Sequence, residues 1–508
     1  MKKSVGTLSL IMAVLMLLGA FAGLTACSKP QGEGDSTSTA AVDVTDTIPA
    51  ETTSKYEIGD EIPTTLNFGG ETVTIVSRSN KWVVDEVTID NSDGGLIDSA
   101  VERRNKVVEQ RLGITIENTK IDGNNYVVAD IIRNQAATGH LYDIFANSVY
   151  STIKYTAENC FANLKSVDNL DLARPYWSQG FNEAASIGDK QYFCTGAIAL
   201  SMYRFIFVTF FNADLFNTVP DIPDLYTTVN NHQWTVDYQM EICQKFWQDV
   251  DADQKTSEGD ICGFVSNADQ IGVDPYWSAF KLPILTKDSE NYLVYSLDLE
   301  RTVLAVDKMQ KLFWGTEGAL SIKHTSGDAE QEDIAKKFSE STAAMVTLRI
   351  IEAEGEYMRG MKDTYGIVPL PMLNAEQDDY CSYAHDQMTA FGIANTTPHD
   401  RRDMLGAVLE AMASESYRTV TPAYYEVALK NKYAKDPASW DMLDIVTENL
   451  YIDPGVLYTK NIESVHQKFR TIIGDQLNGA STRFKILEKP VKSKLETLNE
   501  GLKALTDD

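Results

Sequence analysis

The sequence predicts an α/β protein with parallel sheets covered by helices. Two observations carry this. Strand-like and helix-like stretches alternate over residues 72–146, and further strands follow near 343–347 and 365–371, with a mainly helical C-terminal third and no internal repeat. Strand, helix, strand in succession favours parallel pairing, because the helix supplies the crossover that a parallel strand needs.

Each element has a local reason. Thr72, Val73, Thr74, Ile75, Val76 and Ser77 are mostly β-branched and read as the first strand. Ile97, Val101, Arg104, Val108 and Leu112 share one helical stripe. Ser99 and Glu102 have capping-box spacing at its start, and Gly113 suits its C-terminal cap. Residues 114–117 read as a second strand, 126–137 as a helix and 142–146 as a third strand. An aromatic-rich middle leads to Trp234, Thr235, Val236 and Asp237. There Thr235 can cap a helix, and Asp237 places an anion in the first turn, where the helix dipole favours it.

The N-terminus carries Lys2 and Lys3, an apolar run over 8–18, and then Leu24-Thr25-Ala26-Cys27. The run is too short for a stable membrane span. This resembles a bacterial lipoprotein signal whose terminal cysteine, Cys27, is lipidated; the plain alternative is an ordinary cleaved signal with a chance cysteine. The expectation is a signal peptide over 1–26 and a flexible tether over 27–55, rich in Ser, Thr, Gly, Asp and Ala. A coil of that length reaches on the order of 30 Å. No second apolar stretch is long enough to span a membrane. A formal charge of −28 repels nucleic acid and anionic headgroups, so no nucleic-acid partner is expected. Cys160, Cys194, Cys243, Cys262 and Cys381 form no CxxC pair and read as small buried hydrophobes, at least one of them free. There is no phosphate loop, no HExxH and no GxSxG.

Several stretches, taken in order, carry a wider likeness: Asp98 through Arg103-Arg104-Asn105 and Glu109 to Leu112-Gly113-Ile114; Pro175-Tyr176-Trp177; Phe211-Asn212-Ala213-Asp214; Trp234-Thr235-Val236-Asp237; residues 365–371; and Thr421-Pro422-Ala423-Tyr424-Tyr425. Together they resemble the extracellular solute-binding lipoproteins of ABC importers, in the branch that mostly handles sugars. One departure is visible: Glu340-Ser341-Thr342 stands where the family usually has Gly. The resemblance implies a two-lobed, periplasmic-binding-protein-like (type II) α/β fold with a hinge and a ligand cleft. Lobe 1 would hold 56–200 plus 386–420, and lobe 2 would hold 201–385 plus 421–508, with crossings near 197–203 and 383–387. It implies a monomer held at the outer face of the cell membrane through its N-terminal lipid. That protein would capture a sugar, an oligosaccharide by preference, and deliver it to ABC permease subunits, with no catalytic residues and no required cofactor. The alternative reading is a surface glycoside hydrolase or an inactive glycan-binding relative, since 73 acidic residues supply many candidate carboxylate pairs.

Sugar binding needs flat apolar faces for C–H groups and planar polar groups for hydroxyls. The candidates lie past strand ends, where ligands of α/β sheets sit. Asn80 and Trp82 follow the first strand, and Asn147 and Tyr150 follow the third. Tyr203 and Arg204 lie by the first crossing, and His385 and Asp386 by the other. Tyr276 and Trp277 belong to an acid-Pro-aromatic stretch, Asp274-Pro275-Tyr276-Trp277, resembling a loop that stacks on sugar in some family members. Arg349 ends a strand. Each has a plainer alternative: Trp82, Trp277 and Tyr203 as core, Arg349 as a partner of Glu352 or Glu354, and His385 as a satisfied structural histidine. Separately, Asp249, Asp251, Asp253 and Asp260 occupy positions 1, 3, 5 and 12 of a calcium-loop pattern, with Ser257 at position 9. Gln254 replaces the usual Gly at position 6 and Asp260 the usual Glu at position 12. A possible structural calcium or a solvated acidic turn both fit.

Overall fold

The computed structural model describes residues 56–79, 85–90, 94–322, 327–434 and 436–505. Cys27, the leader, the tether, Asn80 and Trp82 lie outside them. β1 (Glu71–Ser79) buries Val73, Ile75 and Val76, and pairs in parallel with β2 (Ile114–Asp122) and β3 (Ile144–Ser148). α1 (Leu96–Leu112) and α2 (Asn125–Thr138) make the crossovers. α1 buries Val101, Arg104, Val108 and Leu112, the stripe its spacing predicts. It ends at Gly113, whose φ of 62° is left-handed, and where a Cβ would meet the Asn67 side chain at 2.5 Å. The capping box does not form. α1 begins upstream, after Gly95, so the Ser99 N–H already donates to the Gly95 carbonyl at 2.9 Å inside the first turn. β11 (Thr389–Ile393) closes this sheet antiparallel to β3, giving the order β11-β3-β1-β2.

The second sheet has the order β10-β4-β9-β5-β8. Its strands are β4 (Phe207–Asn212), β5 (Cys262–Asn267), β8 (Ala319–Ile322), β9 (Ala343–Arg349) and β10 (Tyr365–Val368). Every residue of β4, β5 and β9 is buried, as central strands covered on both faces require. A small hairpin, β6 (Leu285–Lys287) with β7 (Leu293–Tyr295), stands apart from both sheets. Thr235 caps its helix as predicted, accepting from the Tyr238 N–H at 3.3 Å. At the turn before β9, Ser341 adopts a φ of 59°, the conformation a glycine would hold, and its hydroxyl donates to Asp363 at 2.5 Å.

Each sheet with its helices makes one lobe, and two segments cross between them. The Phe207 N–H donates to the Tyr383 carbonyl and the His385 N–H to the Phe205 carbonyl, both at 3.0 Å, with Ile206 bridged to Ala384. The sequence places the first crossing at 197–203; residues Leu200–Arg204 instead form a short helix, and pairing starts at Phe205. α3 (Gln270–Ala279) follows β5. α4 (His399–Glu415) continues through π-helical turns Ser416–Val420 and Ala423–Tyr433, so the lobe boundary expected after 420 falls inside a nearly unbroken helical run. α5 (Val465–Gly474) and α6 (Ala480–Ala504) then pack over α3. All five described cysteines are buried and unpaired. Among the described residues, no helix is long and apolar enough to cross a membrane.

Candidate functional site

The C-terminal ends of the central strands in both sheets meet at the crossing segments. Arg78, near the end of β1, reaches Gln387; the Val149 N–H after β3 donates to Met388; the Ile350 N–H after β9 donates to Ile206; and Gln270, after β5, reaches His385. Crevices at such strand ends are where open α/β sheets bind ligands.

From lobe 1, the Arg78 guanidinium donates to Asn125 Oδ1 at 2.9 Å, to Gln387 Oε1 at 3.3 Å and to the Gln387 carbonyl. Asn147 donates to the Asn125 carbonyl, Ser151 and Thr152. Tyr150 is half-buried and meets Tyr126 edge-on, with ring centroids 6.3 Å apart. From lobe 2, Arg349 donates to Gln331 at 2.6 Å and Glu352 at 2.8 Å, and lies over the Phe205 ring. Arg470 on α5 grips Asp274 on α3 through two bonds, of 2.9 and 2.6 Å.

Between these lie His385 and Asp386, each 5 % exposed. Burial drives the His385 pKa well below its ordinary value, and Arg349, Arg470 and Arg78 push the same way, so the ring is neutral. Gln270 Nε2 lies 3.1 Å from His385 Nε2, and with the amide N–H donating there, the neutral ring carries its proton on Nδ1. Burial raises Asp386 to about 6, against the pull of the Gln387 amide, Arg470, Lys460 and Arg78. Asp274 is raised to about 7, again by burial, with Arg470 opposing.

Among the described residues, four buried polar atoms here have no partner: Arg78 Nε, Asn147 Oδ1, Arg349 Nε and His385 Nδ1. Each such atom costs about 1–3 kcal/mol. Three donors and one acceptor held on opposed strand ends form a set suited to a hydroxyl-rich guest.

The structure thus brings Asn147, Tyr150, Arg349, His385 and Asp386 to one region. Tyr203 and Arg204 stand in a second group, where Arg204 is gripped by Glu354 and lies under Tyr424. The expected Asp274-to-Trp277 loop is instead part of α3, whose residues 271–279 are all buried. Tyr276 is in the core, its hydroxyl against Gln239 and Thr347. Trp277 packs on Phe469 and Phe484, with centroids 5.3 and 6.3 Å away. Neither ring faces a crevice, because α3 is sandwiched between the second sheet and α5. Sequence reasoning missed Arg78, Asn125, Gln270, Gln387 and Arg470. Arg78 precedes the predicted residues by only two positions, so the same strand-end rule reaches it; nothing local signals Arg470.

In the acidic loop, the carboxylates of Asp249, Asp251 and Asp253 converge, with ligand atoms within 4.8 Å of one another. Gln254 takes the left-handed φ of 62° that position 6 requires. Asp260 does not join them. It is buried, and its two oxygens accept the Val250 N–H at 2.9 Å and the Ser257 N–H at 2.8 Å, so it clamps the loop from beneath.

This arrangement has solved counterparts. The sugar-binding protein MalE of Xanthomonas citri matches with TM-score 0.56 at 12% identity, over 86% of this chain and 100% of that one. This chain shares that protein's two-lobed α/β fold. A family 1 extracellular solute-binding protein of Bifidobacterium longum subsp. infantis matches with TM-score 0.54 at 13% identity, over 84% and 100% of the two chains. The galacto-N-biose-/lacto-N-biose I-binding protein of the Bifidobacterium longum ABC transporter, solved with lacto-N-biose, matches with TM-score 0.53 at 12% identity, over 86% and 98%. No protein-family profile and no curated protein matches the sequence.

Proposed function

We propose that this protein is the extracytoplasmic saccharide-binding subunit of an ABC importer, anchored through a lipid on Cys27. It takes up its guest between the lobes and passes it unchanged to permease subunits. The observation that carries the reading is the group of four unpartnered polar atoms at facing strand ends beside the paired crossings. A guest that bonds to both lobes favours the closed form, which is how such clamshells couple binding to hinge motion. The solved counterparts that bind sugars support the choice of guest. A calcium ion held by Asp249, Asp251 and Asp253 is proposed as a structural adjunct remote from this chemistry.

A glycan panel screened by thermal shift tests the reading, with mass spectrometry of the recovered glycan. The expected result is a raised melting temperature with at least one oligosaccharide, recovered intact. Cleaved glycan, or no shift across the panel, overturns it.

A further inference from the structure

The chain carries 73 acidic against 45 basic side chains, yet the rim formed by Tyr126, Tyr150 and Lys154 of the first expected lobe and Lys460 of the second is cationic. Lys154 and Lys460 form no ion pair among the described residues. Lys154 Nζ lies 4.9 Å from the centre of the Tyr126 ring, and Lys460 Nζ lies 4.4 Å from that of Tyr150. Tyr126 and Lys460 are exposed, whereas Tyr150 and Lys154 are half-buried. Arg78, only 4 % exposed, donates among the described residues to neutral oxygens alone, and its Nε has no partner among them. A buried guanidinium without a contacting carboxylate is costly and favours an incoming anion.

Several of the opposing charges are engaged elsewhere. Asp274 and Glu352 are engaged by Arg470 and Arg349, and Glu463 by Lys494. The buried Glu86 accepts from Ser201 and lies within electrostatic reach of Arg78. Asp386 remains among these cations and, with its pKa raised to about 6, still carries its charge at pH 7. The exposed Asp130 accepts from Tyr155, whose ring Lys154 overlies at 4.4 Å.

We propose that the guest is an anionic saccharide, its carboxylate or sulfate group held by Lys154, Lys460 and Arg78 while a sugar ring lies against Tyr126 and Tyr150. The proposal rests on the saccharide reading and names the class of sugar. Cation and aromatic face alternate along this rim, matching a pyranose that offers a C–H face on one side and an acid at its edge.

The test is titration calorimetry on the full mature chain with matched glycans. These are xylo-oligosaccharides with and without glucuronyl branches, galacturonides and their methyl esters, and galactans with and without sulfate esters. The acidic member of a pair binds at least about tenfold more tightly, and the difference shrinks at high salt. The first two pairs report carboxylate recognition, and the third sulfate. Lys460→Gln, at an exposed position, removes most of the preference without moving the melting temperature. If neutral members bind as well as acidic ones, or if Lys460→Gln and Lys154→Gln both leave the preference intact, the charge proposal is overturned and the saccharide reading stands. If no glycan of the panel binds, both readings fall.

Discussion

Trp277→Ala separates a core role from a cleft role at a residue whose sequence context suggests either. The side chain is 1 % exposed, and its ring sits between Phe469 of α5 and Phe484 of α6. Truncating a buried tryptophan costs about 3–5 kcal/mol, part of it from the cavity left behind. Edge-to-face pairs like the one with Phe469 contribute about 0.5–1.5 kcal/mol beyond area burial. Among the described residues the indole N–H has no partner, so no hydrogen bond to them is lost. Trp277→Phe keeps an aromatic ring in the slot and costs less. Urea unfolding followed by circular dichroism gives the stability, and calorimetry with the tightest glycan gives the affinity of the folded protein. A lowered midpoint with near-normal affinity is expected. An unchanged midpoint with binding weakened tenfold or more would refute the packing argument and return Trp277 to the cleft.

Three further outcomes follow from the site. His385→Phe preserves the edge contact with Phe207 but removes both ring nitrogens, so glycan affinity falls about tenfold by calorimetry; unchanged affinity excludes His385 from the guest. Asp386 has its folded pKa raised to about 6, so the native state holds its proton more tightly than the unfolded chain. Stability is therefore lost as pH rises from about 4 through 6, and Asp386→Asn stabilises the protein at pH 7 but not below pH 4; a variant melting alike at both contradicts that sign. Calcium added to chelated protein stabilises it through Asp249, Asp251 and Asp253 by about 2.7 kcal/mol at a hundredfold excess over Kd, read as a raised melting temperature, and Asp251→Asn abolishes the rise; identical curves with calcium and chelator remove the ion.

Much of the scaffold was readable from local pattern. β1, α1, β2, α2 and β3 form close to their predicted positions because each follows a simple period, and Gly113 and Thr235 act as the caps they resemble. The capping box failed because Ser99 competes with an earlier helix start that the apolar stripe alone does not fix. The site was legible only in part. His385, Asp386, Arg349, Tyr150 and Asn147 lie where strand ends and crossings put them. Arg470 and Gln270 reach the same place through tertiary packing that no local period encodes. Tyr276 and Trp277 misled for the converse reason: a Pro beside aromatics reads as a loop, yet Pro275 is accommodated within α3, where burial on every side outweighs the missing N–H.

The central claim is an intact saccharide held between the two sheets. A crystal structure with the tightest-binding glycan of the panel tests it most directly. The guest should lie whole between the lobes, bonded to Arg78 and His385 on one side and to Arg349 on the other. A glycan bound on an outer face, or a cleaved product in the crevice, would contradict it.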